Sequence, residues 1–225
     1  MQNKGLLEVD SVQVRYAGRL VVSDVYLQCQ AGQIVGLLGR NGSGKSSLLK
    51  AVFWAIPADY KFVRVNGQVI QSIADAMKTI SYLPQDSFLP EYLTVKKVVH
   101  LSIDKAVIPQ FLDDTMMQQI YDKKVKHLSG GELRYLEIKL VLHNPSSFVL
   151  LDEPYNGLSP LMKEKINTLL VQEVKQKGII ITDHDYQNVL NVANTIILMK
   201  NGKTHPIQNT NELISEGYSL SGMLG

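Results

Sequence analysis

The chain has 225 residues, 45% of them hydrophobic and 20% charged, a composition that supports one buried α/β core and excludes a disordered chain. Its 23 basic and 21 acidic residues are spread along the whole length for a formal charge of +2, so no basic stripe points to nucleic acid. The single cysteine, Cys29, excludes a disulfide framework, and no apolar run reaches the ~18 residues that a membrane-spanning helix needs. The start, MQNKGLLEVDS, also lacks the charged-then-apolar layout of a signal peptide. A cytoplasmic chain without direct membrane insertion is therefore expected, with Cys29 as a small core residue.

In chain order, Leu7 and Val9, then Val25, Leu27 and Cys29, alternate with polar residues in period two, which predicts antiparallel strands covering one face of a core. The continuous apolar run at residues 34–38 meets Gly39, Gly42 and Gly44, and a helical pattern follows over residues 45–56. Asn66-Gly67 between β-prone flanks predicts a tight hairpin, and Asn201-Gly202 a second one. From about Pro90 to Asp122 the pattern is helical and less hydrophobic, with Thr94 as an N-cap and no strong strand before residue 148. Leu133, Leu136, Leu140 and Val141 then recur at helical spacing until Asn144-Pro145 ends the helix ahead of an apolar strand at residues 148–151. Ser159-Pro160 reads as N-cap and N1 of a further helix closed by Gly178, before a last apolar strand at residues 179–182. Apolar strands alternating with helices predict a parallel sheet covered on both faces.

The segment Gly39-Arg40-Asn41-Gly42-Ser43-Gly44-Lys45-Ser46 fits the phosphate-binding pattern G-x-x-x-x-G-K-[ST] between a strand and a helix. Glycines let consecutive backbone N–H groups wrap phosphates, and the helix N-terminus adds a positive dipole end. Lys45 can reach the β and γ phosphates, and the Ser46 hydroxyl can ligate Mg²⁺. Downstream, residues 148–151 lead into Asp152 and Glu153. Neighbouring strand residues face opposite ways, so the two acids take different roles: Asp152 on Mg²⁺ and Glu153 as acceptor of a proton from an attacking water.

Between these two elements lies Leu128-Ser129-Gly130-Gly131-Glu132. With the glycine loop and the two acids it resembles the signature of ATP-binding-cassette (ABC) ATPases, with all three motifs in the family's order. The resemblance implies an α/β P-loop NTPase fold, with a RecA-like core sheet, an N-terminal antiparallel β subdomain and a small helical subdomain at about residues 88–142 of one ABC ATPase domain spanning residues 1–225. It implies nucleotide contacts from Gly39, Arg40, Asn41, Gly42, Ser43, Gly44, Lys45, Ser46 and Ser47, and from Ser129, Gly130, Gly131 and Glu132 acting on ATP bound to the opposite subunit. Gln85 in Tyr82-Leu83-Pro84-Gln85 resembles the Q-loop glutamine that contacts Mg²⁺, and His184 in Thr182-Asp183-His184 the switch histidine of catalysis. Tyr16 resembles the aromatic that stacks on adenine, with Val22 near the ribose. His100, His127, His143 and His205 have no such context and are expected on the surface.

Glu132 stands where the signature usually has Gln, Lys139 and Leu140 where it has a small residue and Arg, and Ser159 where many members have the Asp that links two sites. The wording Tyr-Leu-Pro-Gln, Asp-Glu-Pro and Thr-Asp-His is most similar to ATPases of lipopolysaccharide export and branched-chain amino-acid uptake, which assigns no substrate. The implied function is ATP hydrolysis driving transport through a separate transmembrane permease subunit. The chain would pair with a second nucleotide-binding subunit, a homodimer mate or a close paralogue, and sit peripherally on the cytoplasmic face of the membrane through the permease. Two alternatives stay open: a soluble, non-transport ABC ATPase such as an iron-sulfur assembly scaffold, and a module that holds ATP without turning it over.

Overall fold

The computed structural model describes residues 5–218. Its first strand, β1 (Leu6–Tyr16), pairs antiparallel with β2 (Arg19–Val22) and β3 (Tyr26–Gln30) on one side and with β5 (Tyr60–Val65) on the other, with β6 (Gln68–Val69) beyond β5. The register sets Leu7 between Cys29 and Val65, and Val9 between Leu27 and Val63. These six side chains are all buried, so the alternating pattern becomes one apolar face, packed on β4 (Ile34–Leu38) and α1 (Lys45–Val52). Burial pushes the Cys29 thiol up to about 12, as expected of an inert core residue.

The second sheet has the order β11-β10-β4-β9-β8-β7, formed with β7 (Ile80–Leu83), β8 (Phe148–Asp152), β9 (Gly178–Thr182), β10 (Thr195–Lys200) and β11 (Lys203–Ile207). All neighbours are parallel except the β10–β11 hairpin. The loops after β4, β7, β8 and β9 therefore leave from one edge, where ligands of open parallel sheets bind. Helices α3 (Val95–Ser102), α4 (Ile108–Phe111), α5 (Thr115–Ile120) and α6 (Gly130–His143) lie between β7 and β8 in the chain, and α7 (Pro160–Glu173) and α8 (Tyr186–Val192) flank β9. A last helix, α9, covers Thr210–Ser215. This is the α/β arrangement with an antiparallel N-terminal sheet expected from the sequence. No helix among the described residues is long and apolar enough to cross a membrane.

Turn chemistry is confirmed at both hairpins: Asn66 and Gly67 have φ of 52° and 79°, Asn201 and Gly202 of 53° and 77°, the signs that a type I′ turn requires. Thr94 caps α3 by accepting from Lys97 N at 3.2 Å, and Ser159 caps α7 at Met162 N. Other expectations are corrected. Helix α1 stops at Val52, not Ile56, because Trp54 adopts φ 64° and the N–H groups of Trp54 and Ala55 return to the carbonyls of Ala51 and Lys50, the pairing of a Schellman stop. Lys61 steadies that end, with Nζ 3.7 Å from the Trp54 ring centre and bonded to the Ala51 carbonyl. The helix α2 (Ile73–Thr79) and strand β7 were not foreseen, although Ser72 caps α2 at Asp75 N. His143 is not a surface residue: its side chain is 7% exposed and meets the Phe111 ring edge-on.

Gly178 does not close α7, which ends at Glu173; it opens β9. A Cβ there would lie 2.7 Å from the Phe148 ring and 2.9 Å from Cys29 Sγ, so the residue is small because two layers of core meet at it. Gly178→Ala should lower stability in urea unfolding by about 1–3 kcal/mol. A variant as stable as the parent would show that Phe148 has room to move.

Candidate active site

The loop after β4 is shaped by contacts that admit no side chain. Gly44 has φ 105°, and a Cβ on it would lie 2.8 Å from the Val21 carbonyl; one on Gly39 would lie 2.6 Å from the Met199 carbonyl. Gly44 is also the N-cap of α1 and supplies no side-chain acceptor, which leaves the first N–H groups of the helix facing the loop's interior. Lys45 is buried and folds back, its Nζ donating to the carbonyls of Gly39 at 2.8 Å and Arg40 at 3.3 Å. Burial lowers its pKa, and the carboxylates of Glu153, Asp152 and Asp183 oppose that shift.

The two acids at the end of β8 take separate partners. Asp152 is 0% exposed; its Oδ1 accepts from Ser46 Oγ at 2.8 Å and its Oδ2 from the Tyr82 hydroxyl at 2.9 Å. Glu153 turns into the left-handed region at φ 49° while its N–H stays on the Thr182 carbonyl. Its Oε2 accepts from Gln85 Nε2 at 2.8 Å and lies 3.9 Å from His184 Nδ1. His184 is 52% exposed. Its loop is held by buried Asp183, which accepts from Tyr155 N and Asp185 N.

A cavity of about 520 Å³ joins these groups: Asn41, Gly42, Gly44, Lys45, Ser46, Ser47, Gln85, Glu153 and His184 all line it, together with Val21. The rest of the predicted set lies elsewhere. Val22 is buried in the core, so its neighbour Val21 is the residue on the cavity wall. Tyr16 is 49% exposed at the end of β1 and is not part of the wall. Arg40 and Ser43 line a second cavity of about 1030 Å³, which shares Val21, Asn41 and Gly42 with the first and also takes in Arg19, Lys200 and Gly217. Ser129, Gly130, Gly131 and Glu132 line neither cavity. They begin α6 as a reciprocal cap, Ser129 Oγ accepting from Glu132 N and Glu132 Oε2 from Ser129 N at 2.7 Å. That backbone bond, with Lys123 beside it, holds the Glu132 carboxyl below the usual range.

Ser46 and Asp152 offer hard oxygen donors 2.8 Å apart. Among the described residues no group of three or more His, Cys, Asp or Glu could hold a metal by itself. The pair suits Mg²⁺, which binds one or two protein oxygens and completes its shell with water and phosphate.

The sequence reading did not foresee how these loops are tied together. Arg134, on α6, donates to the carbonyls of Pro84, Asp152 and Glu153 at 2.8–2.9 Å and pairs with Glu137. Glu137, 1% exposed, accepts in turn from Ser87 Oγ and Phe88 N. The signal was available, since Glu137 falls on the stripe of Leu133 and Leu140, where a charge has to be paired. Lys139 is buried too, donating to Asp114 at 2.9 Å.

A family profile described as "ABC transporter" matches residues 22–156, more than half of the chain. The lipopolysaccharide export system ATP-binding protein LptB of Haemophilus influenzae is 31% identical over 212 residues, 88% of each chain. LptB of Escherichia coli K12 is 30% identical over 83% of each. The ABC transporter ATP-binding protein YtrB of Bacillus subtilis is 29% identical over 94% of this chain and 74% of its own. Among solved structures, an ATP-binding subunit of an ABC transporter superposes with a TM-score of 0.81 at 22% identity, covering 96% of each chain. A bacterial Atm1-family ABC exporter with ATP bound gives 0.82 at 20% identity, over 99% of this chain and 42% of the exporter's. Both share its fold.

Arg134→Ala would leave the buried Glu137 carboxylate without its counter-charge and three carbonyls without their donor. It should cost about 3–5 kcal/mol in urea unfolding, and replacing both partners with Met should cost less. A loss below about 1 kcal/mol would mean that water takes over the guanidinium's bonds.

Proposed function

The chain belongs to the ABC transporter family, and from that premise we propose that it hydrolyses ATP as the nucleotide-binding subunit that drives a separate membrane-spanning subunit. The observation that carries the proposal is the convergence of Lys45, Ser46, Gln85, Glu153 and His184 on one cavity while residues 129–132 stand apart from it. One chain then supplies a phosphate cradle, a metal pair and a base, and a second subunit supplies the signature. The relatives named above are transporter ATP-binding proteins, which favours this reading over a soluble scaffold.

In the proposed mechanism the loop of residues 39–47 and the Lys45 ammonium bind the β and γ phosphates, with Val21 along the nucleoside and Tyr16 stacking on adenine. Ser46, Asp152 and Gln85 would hold Mg²⁺, which when bound would supply positive charge to the phosphate oxygens. Gln85 and His184 address Oε2 of Glu153, leaving Oε1 to accept a proton from water. As that proton transfers, the water oxygen bonds to the γ phosphorus and the bond to the β–γ bridging oxygen breaks, releasing ADP and phosphate. His184 is placed to hydrogen-bond the γ phosphate. Residues 129–132 of the opposing subunit, a second copy of this chain or a close paralogue, present the α6 N-terminus to the same phosphate. Opening and closing of that pair is the motion passed to the membrane subunit, which seats this chain on the cytoplasmic face.

Glu153→Gln keeps size and hydrogen bonding but removes the proton acceptor. Turnover should fall by roughly 10²–10⁴, with ATP binding retained and an ATP-dependent dimer accumulating on a sizing column. Hydrolysis within about threefold of the parent, far short of the loss expected for a general base, would remove Glu153 from that role.

A further inference from the structure

The Asp152 carboxylate is anchored twice, and the two anchors differ in kind. Ser46 is the residue with which Asp152 would share Mg²⁺, so its hydroxyl would change partners on metal binding. The Tyr82 hydroxyl binds the other oxygen, Oδ2, at 2.9 Å and has no part in the phosphate cavity. Tyr82 sits on β7, beside β8 and paired with Leu150, and its ring lies against Phe53, just past the end of α1, with centres 5.4 Å apart. The hydroxyl is thus held from behind by packing and from the side by the sheet.

We propose that Tyr82 is a positioning residue for the metal: its hydroxyl fixes Oδ2 of Asp152 and so presents Oδ1 toward Ser46 and the Mg²⁺ that accompanies ATP. The inference rests on the reading of Ser46 and Asp152 as the metal pair. A phenol suits the task better than a cation. Lys or Arg at this place would bond the carboxylate equally well but cancel the charge that attracts Mg²⁺, whereas a neutral donor sets orientation and leaves the charge intact. Tyr82 also lies three positions before Gln85, which follows the end of β7 at Leu83, so one side-chain bond from β7 to β8 registers the start of the Gln85 loop against the metal carboxylate.

Tyr82→Phe in the full chain removes one oxygen and keeps the ring against Phe53. Binding of a fluorescent ATP analogue is measured in EDTA and across a Mg²⁺ series, with ATP turnover followed across the same series. The expected result is unchanged affinity in EDTA and a rise of about tenfold or more in the Mg²⁺ needed for half-maximal binding and turnover, the usual size of losing an outer-shell partner. Phe53→Leu, which keeps the hydroxyl, should shift the Mg²⁺ requirement less. Parental Mg²⁺ dependence in Tyr82→Phe would overturn the proposal. An equal shift in Phe53→Leu would also overturn it, since ring packing would then be the cause. If the parent's own nucleotide affinity ignores Mg²⁺, the metal pair itself falls, an outcome distinct from failure at Tyr82.

Discussion

Asp152 places a carboxylate at the C-terminal end of β8 with no access to water, and a buried charge persists only where its lone pairs are answered. Much of the surrounding structure meets that need. Ser46 comes from the first turn of α1 and Tyr82 from β7, each binding one oxygen, while Arg134 on α6 binds the backbone carbonyl of the same residue. Three elements far apart in the chain are brought to one point. The loops that leave them inherit their positions from it: the glycine loop ahead of α1, and the Gln85 segment that follows β7 and is bonded to α6 through Pro84, Ser87 and Phe88.

The second constraint is the left-handed turn at Glu153. Extended backbone would send consecutive side chains to opposite faces; the φ of 49° keeps Glu153 on the edge where Gln85 and His184 stand. A non-glycine residue costs energy in that region and persists only where its surroundings enforce it. Here the enforcement is visible: the Glu153 N–H is bonded to Thr182 and its carbonyl to Arg134. The same guanidinium that steadies the buried Asp152 therefore also holds the proposed base in place. Because Arg134 rides on α6, whose first residues form the proposed signature, displacement of that helix by an opposing subunit would reach both the proposed base and the Gln85 loop.

What could be read from the sequence was what local chemistry decides. The two Asn-Gly turns, the caps at Thr94 and Ser159, and the buried strands at residues 34–38 and 148–151 depend on a few adjacent residues, and the structure has them in place. The misses share a different cause. Gly178 is small because Phe148 and Cys29 arrive from other strands, and Trp54 ends α1 in a conformation that Lys61 supports from β5. Val22 and Val21 differ in which way the hairpin turns them, and His143 is enclosed by α4 and α7. Strand β7 is four residues long, too short for periodicity to separate from a helix. Of the site, the loop residues were legible as motifs. The roles of the groups that hold them were not: Glu137 was visible only as a charge on an apolar stripe, and what Arg134 and Tyr82 bind depends on contacts across as many as 70 positions.

The central claim is that a working site is divided between two chains, and complementation tests it most directly. Two differently tagged copies are co-expressed, one carrying Glu153→Gln and the other Ser129→Arg, and the mixed dimer is purified through both tags. Each variant alone should be inactive. In the mixed pair one site combines both defects, while the other joins an intact glycine loop and Glu153 to an intact signature, so turnover should return to about half that of the parent dimer, as two-fold symmetry requires. Ser129→Arg alone with parental turnover, or a mixed dimer as inactive as its components, would contradict a site shared between subunits.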